Sequence, residues 1–303
     1  MKKSQIILIV VIALLVIGGV SAFVVLSNSS KTVAEKEEVT PAPKKKRVAA
    51  PLNVIPLEQR PVMALRPFIS NGKNLEIELE SLPLPADSAE YEIEYTIGSA
   101  TAKTAAGRDT KVPDNEASEG LQGFIGELDL SSFPAKTEKM LGSCSAGGAC
   151  IYHAGITEGK ISLRFAAKES YALQSVFTYF EEGAQSNPSI DGKFTLAGSG
   201  LTKTTDFLIV EMMGLPAGLP GKIVLAGHES EANWQQARAY GVYFSKSMAA
   251  STEVTATFAD APAGSQIAAY SAGEWTLLES KVSGKELSAT GTLAEIYALI
   301  MPS

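Results

Sequence analysis

Apolar and polar residues alternate along much of this chain with the period of a β-strand. Residues 75–80 read Leu-Glu-Ile-Glu-Leu-Glu, and residues 91–97 read Tyr-Glu-Ile-Glu-Tyr-Thr-Ile. Such alternation places the apolar side chains on one face of a strand and the carboxylates on the other. The glutamates are therefore interpreted as a solvated sheet face, which also protects strand edges, and not as an acid/base array.

Short strand-like segments continue to the C-terminus and are separated by turn signals. They cover 121–130, 151–153, 160–164 and 173–180 in a first block, and 193–196, 206–212, 222–226, 242–244, 253–258, 266–270, 275–278, 285–290 and 296–300 in a second. A polar, proline-containing break at 181–188 separates the two blocks. The pattern predicts an all-β chain with two antiparallel β-sandwich domains, at residues 61–180 and 190–303.

Two segments of the second block have patterns of their own. Residues 207–210 are continuously apolar, which predicts a central strand covered on both faces. Residues 230–240 favour a helix, with Ser230 as its N-cap and with Trp234 and Ala237 on one face.

The N-terminal region is unlike the rest of the chain. Residues 6–26 carry no charged side chain, and twenty-one helical residues span about 31 Å, which matches a bilayer core. We expect a transmembrane helix there, after a cytoplasmic tip at 1–5. A cleaved signal peptide is the alternative, although the apolar run continues beyond the possible cleavage site near residue 22. Residues 28–60, rich in Pro, Lys, Glu and Ala, predict a disordered tether.

Charge is distributed unevenly and limits the choice of partner. Residues 1–60 hold nine Lys+Arg and four Asp+Glu, whereas residues 61–303 hold 17 and 29, a net charge of −12. An acidic body argues against nucleic-acid binding. The basic run at 44–47 is interpreted as part of the tether and not as a nuclear import signal. Lys2 and Lys3 favour a cytoplasmic N-terminus, which places the β domains outside the membrane.

The two cysteines of the chain are close in sequence. Cys144 and Cys150 enclose Ser-Ala-Gly-Gly-Ala, and this small, glycine-rich filling lets the chain fold back. Outside the cytoplasm such a pair forms a disulfide. With His153 the spacing is also C-x5-C-x2-H, but a metal would need a fourth ligand. A redox-active pair is a further alternative, although C-x2-C is the usual spacing. We expect no metal and no cofactor.

Two segments carry resemblances. Residues 141–150, Leu-Gly-Ser-Cys-Ser-Ala-Gly-Gly-Ala-Cys, followed by Tyr152 and His153, resemble a motif of uncharacterised membrane-anchored bacterial envelope proteins. That resemblance implies a bacterial envelope protein and transfers no activity. Residues 275–278, 286–290 and 296–300 resemble the C-terminal hairpin of immunoglobulin-like bacterial surface domains, which implies an immunoglobulin-like sandwich.

The remaining candidate residues are a histidine and two tryptophans. His228 follows a glycine, as in sortases, but a sortase places its nucleophilic Cys after that histidine and here both cysteines precede it. Trp234 and Trp275 could stack on sugar rings, and core packing is the alternative. His153, His228, Trp234 and Trp275 are therefore the candidate ligand contacts.

The catalytic motifs G-x-S-x-G, H-E-x-x-H and G-x-x-x-x-G-K-[ST] are absent from the sequence. No catalytic residue is assigned, and we expect a non-enzymatic binding, adhesion or structural protein of the envelope. Its expected partners are the membrane, through residues 6–26, and another envelope protein or a cell-surface polysaccharide. The alternative function is a carbohydrate-binding or glycan-modifying ectodomain.

Overall fold

Twenty-one strands account for most of the described chain. The computed structural model describes residues 50–303 except 70–72, 99–101, 105–108, 111–119, 145–149, 182–186, 200, 202–204, 226–227 and 250. The strands of the first half are β1 (Met63–Ile69), β2 (Lys73–Leu79), β3 (Ser88–Ile97), β4 (Ala102–Thr104), β5 (Asp109–Thr110), β6 (Gly120–Leu128), β7 (Ala135–Met140), β8 (Gly142–Cys144), β9 (Cys150–Tyr152), β10 (Ile156–Ala166) and β11 (Tyr171–Phe180). Those of the second half are β12 (Phe194–Ala197), β13 (Phe207–Glu211), β14 (Lys222–Leu225), β15 (His228–Phe244), β16 (Glu253–Phe258), β17 (Gln266–Ser271), β18 (Glu274–Leu278), β19 (Ser280–Ser283), β20 (Glu286–Thr292) and β21 (Ile296–Pro302).

A ten-stranded sheet runs through both halves of the chain. Its strand order is β18-β17-β21-β15-β13-β11-β10-β3-β6, and β14 pairs with the beginning of β15. All of its strand pairs are antiparallel, as the alternating pattern predicted. The described residues are therefore all-β and contain one short 3-10 helix, η1 (Leu57–Gln59).

Two smaller sheets cover opposite faces of the large one. The sheet β1-β2-β7 buries Leu65, Leu75 and Ile77 in one hydrophobic core. The sheet β12-β16-β20-β19 buries Phe194 and Phe258 in a second core. A further small sheet, β5-β4-β9-β8, contains both cysteines.

Strand β13 lies between the two cores. Leu208 and Val210 belong to the first core, whereas Phe207 and Ile209 belong to the second. Since successive side chains of a strand point to opposite faces, β13 is buried on both of its faces. The prediction of a covered central strand at residues 207–210 is confirmed.

The helix predicted at 230–240 is wrong. These residues belong to β15, a strand of 17 residues from His228 to Phe244. β14, β13 and β21 all pair with β15, and its register with β21 shifts between Asn233 and Arg238. Backbone pairing with three neighbouring strands outweighs the local helix preference of a polar, alanine-containing segment.

Two glycines of the large sheet accommodate aromatic rings. A side chain at Gly126 would overlap the ring of Tyr91, its partner on the adjacent strand. A side chain at Gly159 would overlap the ring of Phe177 in the same way. Each glycine therefore provides the space into which a neighbouring aromatic ring of the first core extends.

The N-terminal end of the described chain packs against the sheet. The Ala172 amide donates to the Pro51 carbonyl (3.2 Å), and the Asn53 amide donates to the Ala172 carbonyl (2.9 Å). Leu57 is buried in the first core. Residues 51–60 were predicted as the end of a disordered tether, but these contacts hold them on the edge of β11 that β13 leaves uncovered.

The predicted span at 6–26 and residues 28–49 of the tether lie outside the described residues. Within the described ranges no helix is long and apolar enough to cross a membrane. Residues 50–303 form one compact unit, and the predicted boundary near 181–190 falls between β11 and β12.

The C-terminal segments likened to a hairpin lie in two sheets. β18 and β21 belong to the large sheet, on either side of β17. β20 lies between β16 and β19 in the four-stranded sheet. The three segments therefore pair with other strands and not with each other.

Candidate functional site

The cysteine pair forms a disulfide, as predicted. Cys144 ends β8 and Cys150 begins β9, and the two residues are directly opposite each other in the register of these strands. Their Cα atoms are 4.0 Å apart, and their sulfur atoms are bonded. The disulfide closes the short loop that the glycine-rich sequence indicated. Both thiols are used in this bond, so they are not available as the metal ligands of the C-x5-C-x2-H alternative.

His153 lies in an aromatic cluster beside β9. Its Nδ1 is 2.8 Å from the hydroxyl of Tyr95, and the two rings are tilted with centroids 5.7 Å apart. Burial lowers the pKa of His153 and raises that of Tyr95 to about 12. Since the Nδ1 of a neutral His153 can accept a hydrogen bond from the Tyr95 hydroxyl, this pair forms a structural hydrogen bond at neutral pH. In the part of the chain that is described, no cluster of three or more His, Cys, Asp or Glu side chains suits a metal ion.

The two tryptophans pack against each other. The rings of Trp234 and Trp275 are 5.6 Å apart, and Tyr270 lies 5.2 Å from Trp275. The indole N–H of Trp234 donates to the Pro220 carbonyl (2.7 Å), and that of Trp275 donates to the Pro216 carbonyl (3.3 Å). Both rings also cover a small apolar cluster on β14, β17 and β21. This arrangement favours the core role that was the alternative for both residues.

His228 is placed only by its backbone. It begins β15 and lies opposite Leu225 of β14. Its side chain lies outside what the structure describes. The structure therefore brings Trp234 and Trp275 together. It pairs His153 with Tyr95 of β3.

An ion-pair network on the three-stranded sheet was not predicted. The guanidinium of Arg66, on β1, contacts the carboxylates of Glu78, Glu80 (3.3 Å) and Glu76 (3.7 Å) on and just after β2. Lys136, on β7, lies 2.9 Å from Glu78. Glu78 is buried, so the interpretation of its carboxylate as part of a solvated face is wrong. The sequence signal was Arg66 itself, a single cation within an otherwise uncharged segment that precedes the glutamates.

Burial and ion pairing affect the network differently. Burial acts against the charge of Arg66, but the surrounding carboxylates, Glu78 foremost, outweigh it and raise the pKa of Arg66. Burial raises the pKa of Glu80, and the ion pair with Arg66 offsets this only in part. In this partly buried network, the charge on each side chain is therefore stabilised by its oppositely charged neighbours.

An open cavity of about 500 Å³ adjoins this network. Its lining includes Arg66, Tyr243, Lys246, Ser271 and Glu295. The guanidinium of Arg66 lies over the Tyr243 ring, 5.3 Å from its centroid, and the Tyr243 hydroxyl is 3.5 Å from the sulfur of Met212. Three carboxylates engage Arg66, so its charge is largely compensated at the cavity wall.

The edge of the large sheet at β6 is exposed and apolar. Among the described residues, β3 is the only strand that pairs with β6. Leu121 and Ile125 of β6 are 67% and 61% exposed, whereas Phe124 turns inward and packs edge-on against Tyr91 and Tyr95. The seven residues from 120 to 126 carry no charge and no proline. Charged side chains and proline are the features that usually protect an edge from pairing.

Other edges in the described structure are better protected. β19 has four residues, of which Val282 is exposed and Lys281 is charged. β7 carries Lys136, Glu138 and Lys139 within six residues. β6 has nine residues and a single charge, Glu127, so it is longer than either of these edges and a smaller fraction of it is charged. It is therefore better suited than β7 or β19 to accept another strand.

A shallow notch of about 300 Å³ lies on the outer face of this edge. Leu121 and Ile125 flank it, Gly123 forms its floor, and Glu92 and Glu94 of β3 form its inner wall. Glu94 pairs with Lys160 (2.5 Å) and Glu92 with Arg164 (3.6 Å), both on β10. A strand was predicted at 121–130, but nothing in its local sequence marks it as an edge.

Comparisons with family profiles, with curated protein sequences and with solved structures found no significant match for this chain.

Proposed function

We propose that this chain is a non-enzymatic binding protein of the cell envelope, which holds a protein partner along the β6 edge. The observation that carries the proposal is the exposure of Leu121 and Ile125 on a strand whose outer edge is unpaired within the described residues. Edge strands of this kind bind extended segments by main-chain hydrogen bonding, and exposed side chains add specificity.

The proposed location is the outer side of a membrane, with residues 6–26 as a single-pass anchor, residues 1–5 inside and the β body outside. Two observations support it. The first is the uncharged N-terminal segment that follows Lys2 and Lys3. The second is the Cys144–Cys150 disulfide, because such bonds persist in oxidising compartments outside the cytoplasm. The acidic charge of residues 61–303 suits a body that stays clear of an anionic membrane surface.

The proposed immunoglobulin-like architecture belongs to the same hypothesis. Sheets pack face to face over two hydrophobic cores, which is the general arrangement of a β-sandwich. In the large sheet that the two cores share, β6 and β18 are the two opposite edges.

The binding function is tested by covalent cross-linking in intact host cells. A cell-permeable cross-linker is applied to cells that express the full chain, its Ile125→Lys variant or its Val282→Lys variant. Ile125→Lys places a charge on the β6 edge, and Val282→Lys makes the same change at the 75% exposed Val282 of β19. We expect a cross-linked species that Ile125→Lys removes and Val282→Lys retains. Equal yields from all three chains would contradict the proposal.

Location is tested separately with spheroplasts. External protease should digest the β body of the full chain while a cytoplasmic marker stays intact. Protection of the β body until the membrane is permeabilised would contradict the outward orientation.

Carbohydrate binding by Trp234 and Trp275 is less well supported. Their rings are tilted by 57° and packed together, and their N–H groups are bonded to backbone carbonyls. A sugar platform needs a ring face that is free to stack.

A further inference from the structure

The chemistry of the β6 edge indicates what kind of segment it holds, an inference that rests on the proposed binding function. The outer side chains of β6 and β3 alternate with the inner ones, so Leu121, Gly123 and Ile125 share a face with Glu92 and Glu94. Gly123 is paired with Glu94, and Ile125 is paired with Glu92. The notch therefore has apolar side chains on both flanks, no side chain at Gly123 and two carboxylates at its inner end.

This combination suits a long basic side chain. Lys and Arg lay an aliphatic stem along apolar surface and place a charged group at a polar site. Leu121 and Ile125 would contact the stem, and Glu92 and Glu94 would receive the charged group. Gly123 has no side chain between them, and a Cβ atom at this position would come within 2.6 Å of the Ile93 carbonyl oxygen.

The dimensions agree with a strand added to β6. Neighbouring strands are about 4.8 Å apart, so an added strand would lie about 9.6 Å from β3. A lysine opposite Gly123 has to cross only β6 to reach Glu94, which is paired with Gly123 on β3. Alternate residues of the added strand would place further basic side chains on the same outer face.

The charge of that face favours a basic occupant. Across β6, β3 and β10 the outer face carries Glu92, Glu94, Glu127 and Glu158, against two cations on β10. Lys160 engages Oε2 of Glu94, and Arg164 engages Oε2 of Glu92, both from the β10 side. The carboxylates outnumber the cations, and the β6 side of each wall residue borders the notch.

A second copy of the chain is a poorer fit. Residues 61–303 of each copy carry a net charge of −12, so edge-to-edge pairing would bring two acidic bodies together. Like charges at this density oppose association most strongly at low salt.

We propose that β6 accepts an extended Lys- or Arg-bearing segment of a partner protein as an added strand, with one basic side chain seated between Leu121 and Ile125 and facing Glu92 and Glu94.

The test uses a defined probe and the full chain in a mild detergent. The probe is a nine-residue, end-capped, fluorescent peptide in which Lys and Thr alternate, which places every Lys on one face of a strand. Its control has Pro in place of each Thr, because Pro keeps the charge and removes the strand's hydrogen bonds. Binding is followed by fluorescence anisotropy at low and high salt.

Four substitutions give the expected pattern. Glu92→Gln and Glu94→Gln should each weaken binding of the Lys-Thr probe about threefold, as expected for an exposed ion pair. Glu286→Gln, on the exposed part of β20, changes net charge equally and should have no effect. Lys160→Gln should tighten binding about threefold, because Glu94 loses its internal cation. A variant that merely disturbed the fold would weaken binding instead.

Two further readouts complete the experiment. Ile125→Lys and Leu121→Lys should each abolish binding of the Lys-Thr probe while the circular dichroism and unfolding midpoint of the chain stay unchanged. Analytical ultracentrifugation of the unliganded chain should show a monomer in its detergent micelle.

The outcomes separate the two proposals. Equal binding of the Lys-Pro control, or no response to Glu92, Glu94 and Lys160, would overturn the basic-segment proposal. Self-association that Ile125→Lys abolishes would overturn it in favour of a second copy. If cross-linking in cells still depends on Ile125 in either case, the binding function stands and only the nature of the occupant is wrong.

Discussion

Replacement of Arg66 by methionine tests how the three-stranded sheet is stabilised. The change keeps most of the aliphatic volume of the side chain and removes its charge. The side chain of Arg66 is 31% exposed and that of Glu78 is 10% exposed, so the pair is largely withdrawn from water. Arg66→Met leaves Glu78 with Lys136 as its remaining cation, at 2.9 Å.

The size of the effect follows from these exposures. Removing one partner of a fully buried ion pair costs about 3–5 kcal/mol. Arg66 is one-third exposed and Lys136 still compensates part of the Glu78 charge, so we expect a loss of about 2 kcal/mol in the free energy of unfolding. Lys136 is 46% exposed, and Lys136→Met should cost less than about 1 kcal/mol.

The assay is denaturant-induced unfolding of the full chain at neutral pH, followed by tryptophan fluorescence. Arg66→Met, Glu78→Gln and the double variant form a double-mutant cycle. The double variant should be more stable than the two single losses added together predict, because it no longer contains an unpaired buried carboxylate. A loss below about 0.5 kcal/mol for Arg66→Met, or a larger loss for Lys136→Met, would refute this reasoning.

Three other regions give predictions of their own. Replacing both Cys144 and Cys150 with serine should lower the free energy of unfolding by about 2 kcal/mol, and wild type unfolded in reductant should match the variant. Burial lowers the pKa of His153 in the folded chain. The contribution of His153 to stability is therefore present above its ordinary pKa near 6.5 and is lost as pH falls through the lower folded pKa. His153→Gln should flatten that part of the profile of unfolding free energy against pH, measured by unfolding at a series of pH values. Gly159→Ala should destabilise the chain by more than about 2 kcal/mol in the same unfolding assay, because its methyl group would overlap the Phe177 ring; an unchanged midpoint would contradict the packing described.

Local pattern predicted much of the fold. The strands at 160–164, 173–180 and 253–258 and the covered strand at 207–210 follow from alternation or from a continuous apolar run, signals that lie within each segment. The helix at 230–240 was a local inference that failed, since the conformation of β15 depends on partners from distant parts of the chain.

Two missed strands are edges, for which local signals are weakest. β1 contains Pro67, a residue that disfavours a central strand, but β1 is at the edge of its sheet and needs no ladder hydrogen bond on its outer side. β7 reads Ala-Lys-Thr-Glu-Lys-Met and lacks the β-branched and aromatic residues that mark an inner strand. Because β1 was missed, its Arg66 could not be matched to Glu78, and the buried network was overlooked.

The candidate site was predictable only in part. The disulfide between Cys144 and Cys150 follows from two cysteines around a glycine-rich turn, and it is confirmed. The position of β6 at an edge depends on the order of strands that are far apart in sequence, which no local pattern contains. Exposure of Leu121 and Ile125 follows from that order and from the inward turn of Phe124.

The most direct test of a binding edge at β6 is site-specific photo-cross-linking in living host cells. A photoreactive phenylalanine analogue replaces Leu121 in one strain and the equally apolar Val282 of β19 in another. We expect a discrete cross-linked adduct with a second protein from position 121 and none from position 282. Absence of an adduct from position 121, or the same adducts from both positions, would contradict it.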